Sequence, residues 1–327
     1  MSKPALLLTD LPAELKEKIA NVLDYKSKMS LRQVTKDFKE AVDNSEFFYD
    51  SLIFKWDCKK KSIAIIFQVD TDIRKELEFH DALNGYKVKN EAGQWEMSVN
   101  DVNYIDAAME HFWKILKYRN RSMIHLNELV MHLGKNYLED DQNYMRQINE
   151  KLKPDPMNKT KWSVKSLQLR WTIDPECYLD LISSVKPGIL ERISVLPRIP
   201  DPSKDIDPDF DFSRIAGTDQ WKQLKWLEAW NCVIKPNDLE TSHLSTFRYQ
   251  KPMVELEEIK ELVDQFFLNP SWQNRQISLC SFDQHAFAKH FFEPGKVLTG
   301  IDETVIRRGK DAVRLELGFC TVRIERL

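Results

Sequence analysis

The chain is short of glycine, of cysteine and of unbroken apolar sequence. Nine glycines in 327 residues leave little material for phosphate-cradling loops, collagen-like repeats or long flexible linkers. Five cysteines (Cys58, Cys177, Cys232, Cys280 and Cys320) are odd in number and widely scattered. That is the pattern of reduced thiols in an intracellular protein, not of a disulfide framework. The longest apolar run, residues 63–67, falls far below the roughly 20 residues that span a bilayer. Residues 5–8 are stopped at once by Thr9-Asp10, too soon for the apolar region of a signal peptide. An excess of one charge is missing too: 48 Lys+Arg against 51 Asp+Glu give a net charge of -3. No global basic field exists to drive general nucleic-acid binding. The expectation is a cytoplasmic or nuclear protein with no membrane segment and no direct nucleic-acid partner.

Catalytic signatures are absent from the sequence as well. There is no CxxC pair for structural zinc, and no GxSxG, GxGxxG or GxxxxGK[ST]. His285 and His290 are five apart, poor spacing for two ligands on one helical face. Cys58 stands beside Lys59, Lys60 and Lys61, which lower a thiol pKa, yet no dedicated catalytic domain is recognisable around it. The sequence predicts no enzyme, no cofactor and no metal.

What is present begins at the front. Thr9-Asp10-Leu11-Pro12 opens a helical pattern, since proline's missing N–H has no intrahelical partner in a first turn. Leu15, Ile19, Val22 and Leu23 then form one stripe, which Asp24–Ser27 interrupts. A second stripe runs through Leu31, Val34 and Phe38 to Ala41 and Val42. Such a segment holds too few large apolar side chains for a core of its own. It needs a partner surface, from the rest of the chain or from another protein.

The order Leu11-Pro12-x-Glu14-Leu15, Ile19, Leu23-Asp24, Leu31, Val34, Phe38 resembles an F-box without gaps. Lys28 stands where leucine is common, and Phe38 where tryptophan is common. The resemblance implies a three-helix module over residues 1–50 that docks on the Skp adaptor of a cullin–RING ubiquitin ligase. Leu11 and Pro12 would touch the adaptor first, with Glu14 beside them in the motif. Leu15, Ile19, Leu23, Leu31 and Val34 would join a core shared between the two chains, and Phe38 would keep the aromatic burial.

From Ile63 the periodicity turns β-like. Residues 63–69, 77–80, 86–89 and 95–99 read as a small antiparallel meander, with Asn84-Gly85 as a tight positive-φ turn. Asp101 is then placed to cap a helix through Val102, Ile105, Met109, Phe112, Trp113 and Leu116. Meander and helix make a connecting region over 51–120. Beyond it, strand-like segments (126–133, 164–171, 190–196, 224–234, 244–249, 277–282) alternate with helical ones (140–152, 175–185, 212–222, 256–268, 284–292). Leu167, Ile193, Leu227, Phe247 and Leu279 serve as strand anchors. Strand-plus-helix units of this kind stack side by side, so 121–327 reads as an irregular leucine-rich-repeat-like α/β solenoid with a parallel sheet. The alternating stretch 312–327, with Gly318 as a turn, suits a terminal hairpin. The overall class is α/β.

The phrases at 185–194 and 220–227 resemble the FTH domain, which follows an N-terminal F-box in a large group of nematode proteins. In that group the C-terminal region is regarded as the partner-binding part. Two candidate surfaces stand out. The tract 196–211 holds four prolines and five aspartates against two basic residues, and reads as an exposed loop carrying Asp205, Asp207 and Phe210. Trp171, Trp226 and Trp230 fall on predicted strands, Trp226 and Trp230 on one face, either as interface anchors or as core. The expected partners are the Skp adaptor, through it a cullin–RING ligase, and an unknown target protein. The alternative is a non-ligase scaffold or sequestering factor, for example of an RNA-binding or toxic partner.

Overall fold

Polar side chains start two of the three front helices. Pro12 precedes α1 (Ala13–Val22) with φ -57. Asp24 accepts the Ser27 N–H at 2.8 Å and its hydroxyl at 2.9 Å ahead of α2 (Tyr25–Leu31). Thr35 accepts the Phe38 N–H at 3.2 Å ahead of α3 (Lys36–Asp43). Asp24 thus restarts a helix at once instead of merely ending one. The computed structural model describes residues 8–57, 59–69, 73–90, 94–116, 124–133, 146–148, 150–151, 162–170, 175–196, 213–233, 241–281, 283–292, 301–318 and 321–327. The chain forms two compact units, residues 1–130 with 155–165 and residues 131–154 with 166–327.

In the first unit, β1 (Phe47–Asp57), β2 (Ser62–Val69), β3 (Ile73–Ala82), β4 (Gly85–Lys89) and β5 (Trp95–Asn100) make an antiparallel meander. α4 (Tyr104–Leu116) packs against β2, β3 and β4, and β6 (Ile124–Leu133) flanks β1. β1 was not expected. Its signal is the alternation Leu52, Phe54, Trp56, all buried, which Asp50, Ser51, Lys55 and Asp57 obscure.

Two turn assignments shift. The β3–β4 loop is Leu83-Asn84, with Gly85 opening β4 at φ 151. Glycine is required there because β5 passes over it: a Cβ would stand 1.9 Å from the Val99 carbonyl oxygen. Asp101 does not cap α4. It sits at φ 64 with its N–H on the Asn84 carbonyl, and Asn103 Oδ1 takes the Ile105 N–H at 2.8 Å instead.

β7 (Ser163–Arg170) enters the second unit at Ser166, and that unit continues with α5 (Pro175–Ser183), β8 (Arg192–Leu196), α6 (Ser213–Ala216), β9 (Trp226–Val233), β10 (Thr246–Met253), α7 (Leu256–Leu268), β11 (Asn274–Ser281) and α8 (Gln284–Phe291). It ends in β12 (Asp302–Arg308), β13 (Asp311–Gly318) and β14 (Thr321–Arg326). β7 to β11 lie side by side in chain order, all parallel. β14, β13 and β12 continue the sheet antiparallel beyond β11, so the terminal hairpin seals one end of the parallel run. The chain is mixed α/β, with eight helices among the described residues.

Leu167, Ile193, Leu227 and Phe247 are direct register partners, all buried. The fifth anchor is a correction: Arg275, not Leu279, stands opposite Phe247. Arg275 is 2% exposed, stacks on Trp272 at 3.9 Å and donates to the carbonyls of Thr241, Leu244, Ser245 and Asn274. A guanidinium tolerates that position because its donors are consumed by backbone acceptors. The expected 212–222 helix is also broken into α6 and a 3-10 turn at Trp221–Gln223. Thr218 is the cause: its hydroxyl donates to the Ile215 carbonyl and accepts the Trp221 N–H, competing with the helical ladder.

Candidate partner-binding surfaces

The front helices bury a lysine and expose a leucine. On α1, Lys16 and Ala20 turn inward at 5% and 0% exposure, while Leu15 and Val22 stand at 43% and 82%. The helix is rotated by about one residue step, roughly 100°, from the orientation its own apolar stripe would choose. The inward core is Ala20, Leu31, Phe38, Ala41, Val42 and Phe47, with Ile19, Leu23, Tyr25, Met29 and Tyr49 packed around it. Lys16 is made tolerable by Asp37, 2.9 Å away, and by the Phe38 ring at 5.6 Å. The same ion pair holds the Asp37 carboxyl below its ordinary value.

Lys28 lies buried too, its amine 2.5 Å from the Glu46 carbonyl oxygen and over the Phe47 ring. Burial pushes its pKa down against the pull of Glu46. It therefore sits in the chain's own core and not on the exposed surface. The predicted adaptor-contact set divides accordingly. Leu31 and Phe38 are internal, and Leu11, Ile19 and Leu23 are half-buried. Pro12, Glu14, Leu15 and Val34 are exposed, Val34 at 57%.

The second unit carries a polar face on its parallel sheet. Alternation places Gln168 and Arg170 of β7, Arg192 and Ser194 of β8, Trp226 and Glu228 of β9 and Arg248 of β10 on the side opposite the apolar anchors. Glu228 is the hub, its side chain 8% exposed. It accepts from Arg192 at 3.1 Å, from Arg248 at 2.6 Å and from the Ser194 hydroxyl at 3.3 Å. Both guanidiniums lie over the Trp226 ring, at 4.3 and 5.4 Å from its centre. The register row continues through Gln276, Arg323 and Glu316 to Glu303. Of the candidate target-binding residues, Trp226 is thus half-buried in an ion-pair network that sequence reading did not foresee. Trp230 lies on β9, but the ladder shifts beyond Ala229, so simple alternation fails past that point. Trp171, Asp205, Asp207 and Phe210 fall outside the described residues.

Ser163, His125 and Glu46 line up in the first unit, with the hydroxyl 2.9 Å from Nδ1 and the carboxylate 3.8 Å from Nε2. Ser163 is 3% exposed, and Phe48 stacks on the imidazole at 4.7 Å, so the hydroxyl sits in a buried polar contact. His285 and His290 are both exposed on α8. Among the described residues no group of three or more His, Cys, Asp or Glu is placed to hold a metal ion, and no helix is long and apolar enough to cross a membrane.

Residues 142–295 match the model of the FTH domain, a stretch that runs from before β7 to just past α8 and takes in the Glu228 network. No curated protein and no solved structure matches the chain.

Proposed function

We propose that the chain is a substrate-recruiting subunit of a cullin–RING ubiquitin ligase, gripping the Skp adaptor with its front helices and a target protein with its FTH-containing region. The observation that carries this reading is the inside-out front helix. A chain that buries Lys16 while leaving Leu15, Val22 and Val34 in water has an apolar surface its own core does not use. The F-box resemblance names the surface that would cover it, and the FTH domain is compatible with a protein-interaction role. Neither front nor sheet face has to perform chemistry. Holding target and ubiquitin-charged enzyme in one assembly makes a bimolecular transfer effectively intramolecular. On this reading the parallel run of the second unit acts as a leucine-rich-repeat-like platform.

The test is co-purification of the full chain with the adaptor. Leu11→Ala with Pro12→Ala, and separately Leu15→Glu, are expected to abolish it while the circular dichroism spectrum stays native. Undiminished co-purification of both variants would count decisively against the docking surface. A target whose half-life is unaltered despite intact adaptor binding would favour the scaffold reading instead.

A further inference from the structure

Arg192, Glu228, Arg248 and Trp226 form more than a packed ion pair. We infer that they make a preorganised receptor for an acidic, extended segment of a partner protein, whose Asp or Glu side chains lie against the two guanidiniums. The inference rests on the reading that the second unit is the partner-binding part, and it adds the chemical class of what binds.

Three observations support it. First, one carboxylate serves two arginines, so Glu228 fixes both guanidiniums and neutralises only one. Counting Arg170 of β7, the β7–β10 face carries three arginines against one glutamate among its described residues. Second, donors exceed acceptors. The Nε–H groups of Arg170, Arg192 and Arg248 and the Trp226 indole N–H are buried without a hydrogen-bond partner among the described residues. Such a donor excess leaves the face short of acceptors, which a partner's carboxylates supply at the exposed ends of the arginines. Third, the arginines are not sealed: their side chains are 37% and 25% exposed, beside a half-buried indole. Pinned from below by Glu228 and open above, each presents a fork that matches a carboxylate in a bidentate pose. Adjacent strands are spaced by about 4.8 Å, and both forks lean in toward Glu228 on the strand between, so those of β8 and β10 lie within roughly 10 Å of each other. An extended chain covers that distance in about three residues, so side chains on nearby positions of one strand reach both.

The probe is a fluorescein-labelled peptide of about eight residues alternating glutamate and glycine, long enough to cross the four strands. It is titrated by anisotropy into the full chain beside its glutamine counterpart, its phosphoserine counterpart and oligouridine. The glutamate peptide is expected to bind with an affinity that falls as salt rises from about 0.05 to about 0.3 M, and the glutamine peptide to bind far more weakly. The triple variant Arg192→Gln, Glu228→Gln, Arg248→Gln removes the cations with their counterion, leaving no orphaned buried charge. It should bind the glutamate peptide about 30-fold more weakly or worse. Should it not fold, Arg192→Lys with Arg248→Lys keeps the charge and loses the fork, and a loss of about tenfold is expected. Equal binding of the glutamate and glutamine peptides, no binding of the glutamate peptide, or undiminished binding by the folded variant overturns the inference. Capture of only the phosphoserine peptide or only the RNA overturns it equally. Adaptor co-purification is read on the same variants. Peptide failure with adaptor binding intact removes this site alone, and adaptor failure with peptide binding intact removes the ligase reading alone.

Discussion

Leu15 and Lys16 are neighbours in sequence and opposites in the fold. The leucine is 43% exposed while the lysine is sealed beneath Asp37 and Phe38. Side-chain chemistry alone would reverse them, because a buried ammonium must recover lost hydration from an ion pair and a ring face. The stability of the free chain should therefore ignore the exposed apolar positions and depend on the hidden ones. In urea unfolding, Leu15→Ala is expected to change stability by no more than about 0.5 kcal/mol. Phe38→Ala, emptying a fully buried ring site, should cost about 3–5 kcal/mol. Comparable losses for the two would mean that Leu15 is already in use within the chain. Its presence in a motif was legible in sequence. That it points outward was not, because an apolar stripe specifies a face without specifying which neighbour the face meets.

At the scale of single elements, the bounds of several helices were legible, while the Asp24 and Asn103 caps and the β3–β4 turn were not. α7 occupies the expected residues, since Ile259, Val263 and Phe266 form a buried stripe and the Glu258 side chain accepts the Glu255 N–H at the start. α2 depends on Asp24, whose carboxyl is held below its ordinary value of 3.8 chiefly by the Ser27 N–H and hydroxyl. A group with a depressed folded pKa stabilises above its unfolded value and ceases to do so as pH falls through the folded one. Relative to Asp24→Asn, which caps without titrating, the native chain should lose additional stability below about pH 4. Urea midpoints measured across that window should separate the two curves, and parallel curves would remove the carboxylate from the account of this helix. The β3–β4 turn escaped sequence reading because Asn84-Gly85 fits a local turn well. The glycine is needed for the passage of β5, a contact fourteen residues away in the chain.

For the molecule as a whole, the two units differ in how much of their organisation is local. The helical front shares its core with the meander: Phe47 and Tyr49 of β1 belong to that core and stack on each other with ring centres 6.4 Å apart. Deleting residues 1–45 is therefore expected to leave those rings uncovered and to produce a protein that binds a hydrophobic dye and self-associates on a sizing column. A monomeric, dye-silent truncation would show that the front is dispensable to the first unit. The sequence by itself determined the α/β class, the front helices and four of the five anchor positions of the parallel sheet, because each follows from periodicity within one segment. Tertiary structure alone decided that Arg275 fills the place of the last anchor, that α1 presents Leu15 and Val22 to solvent, and that Arg192, Trp226, Glu228 and Arg248 converge from separate strands. Hydrogen-bond acceptors and counterions from distant segments set those outcomes, and no local pattern encodes which segment will supply them.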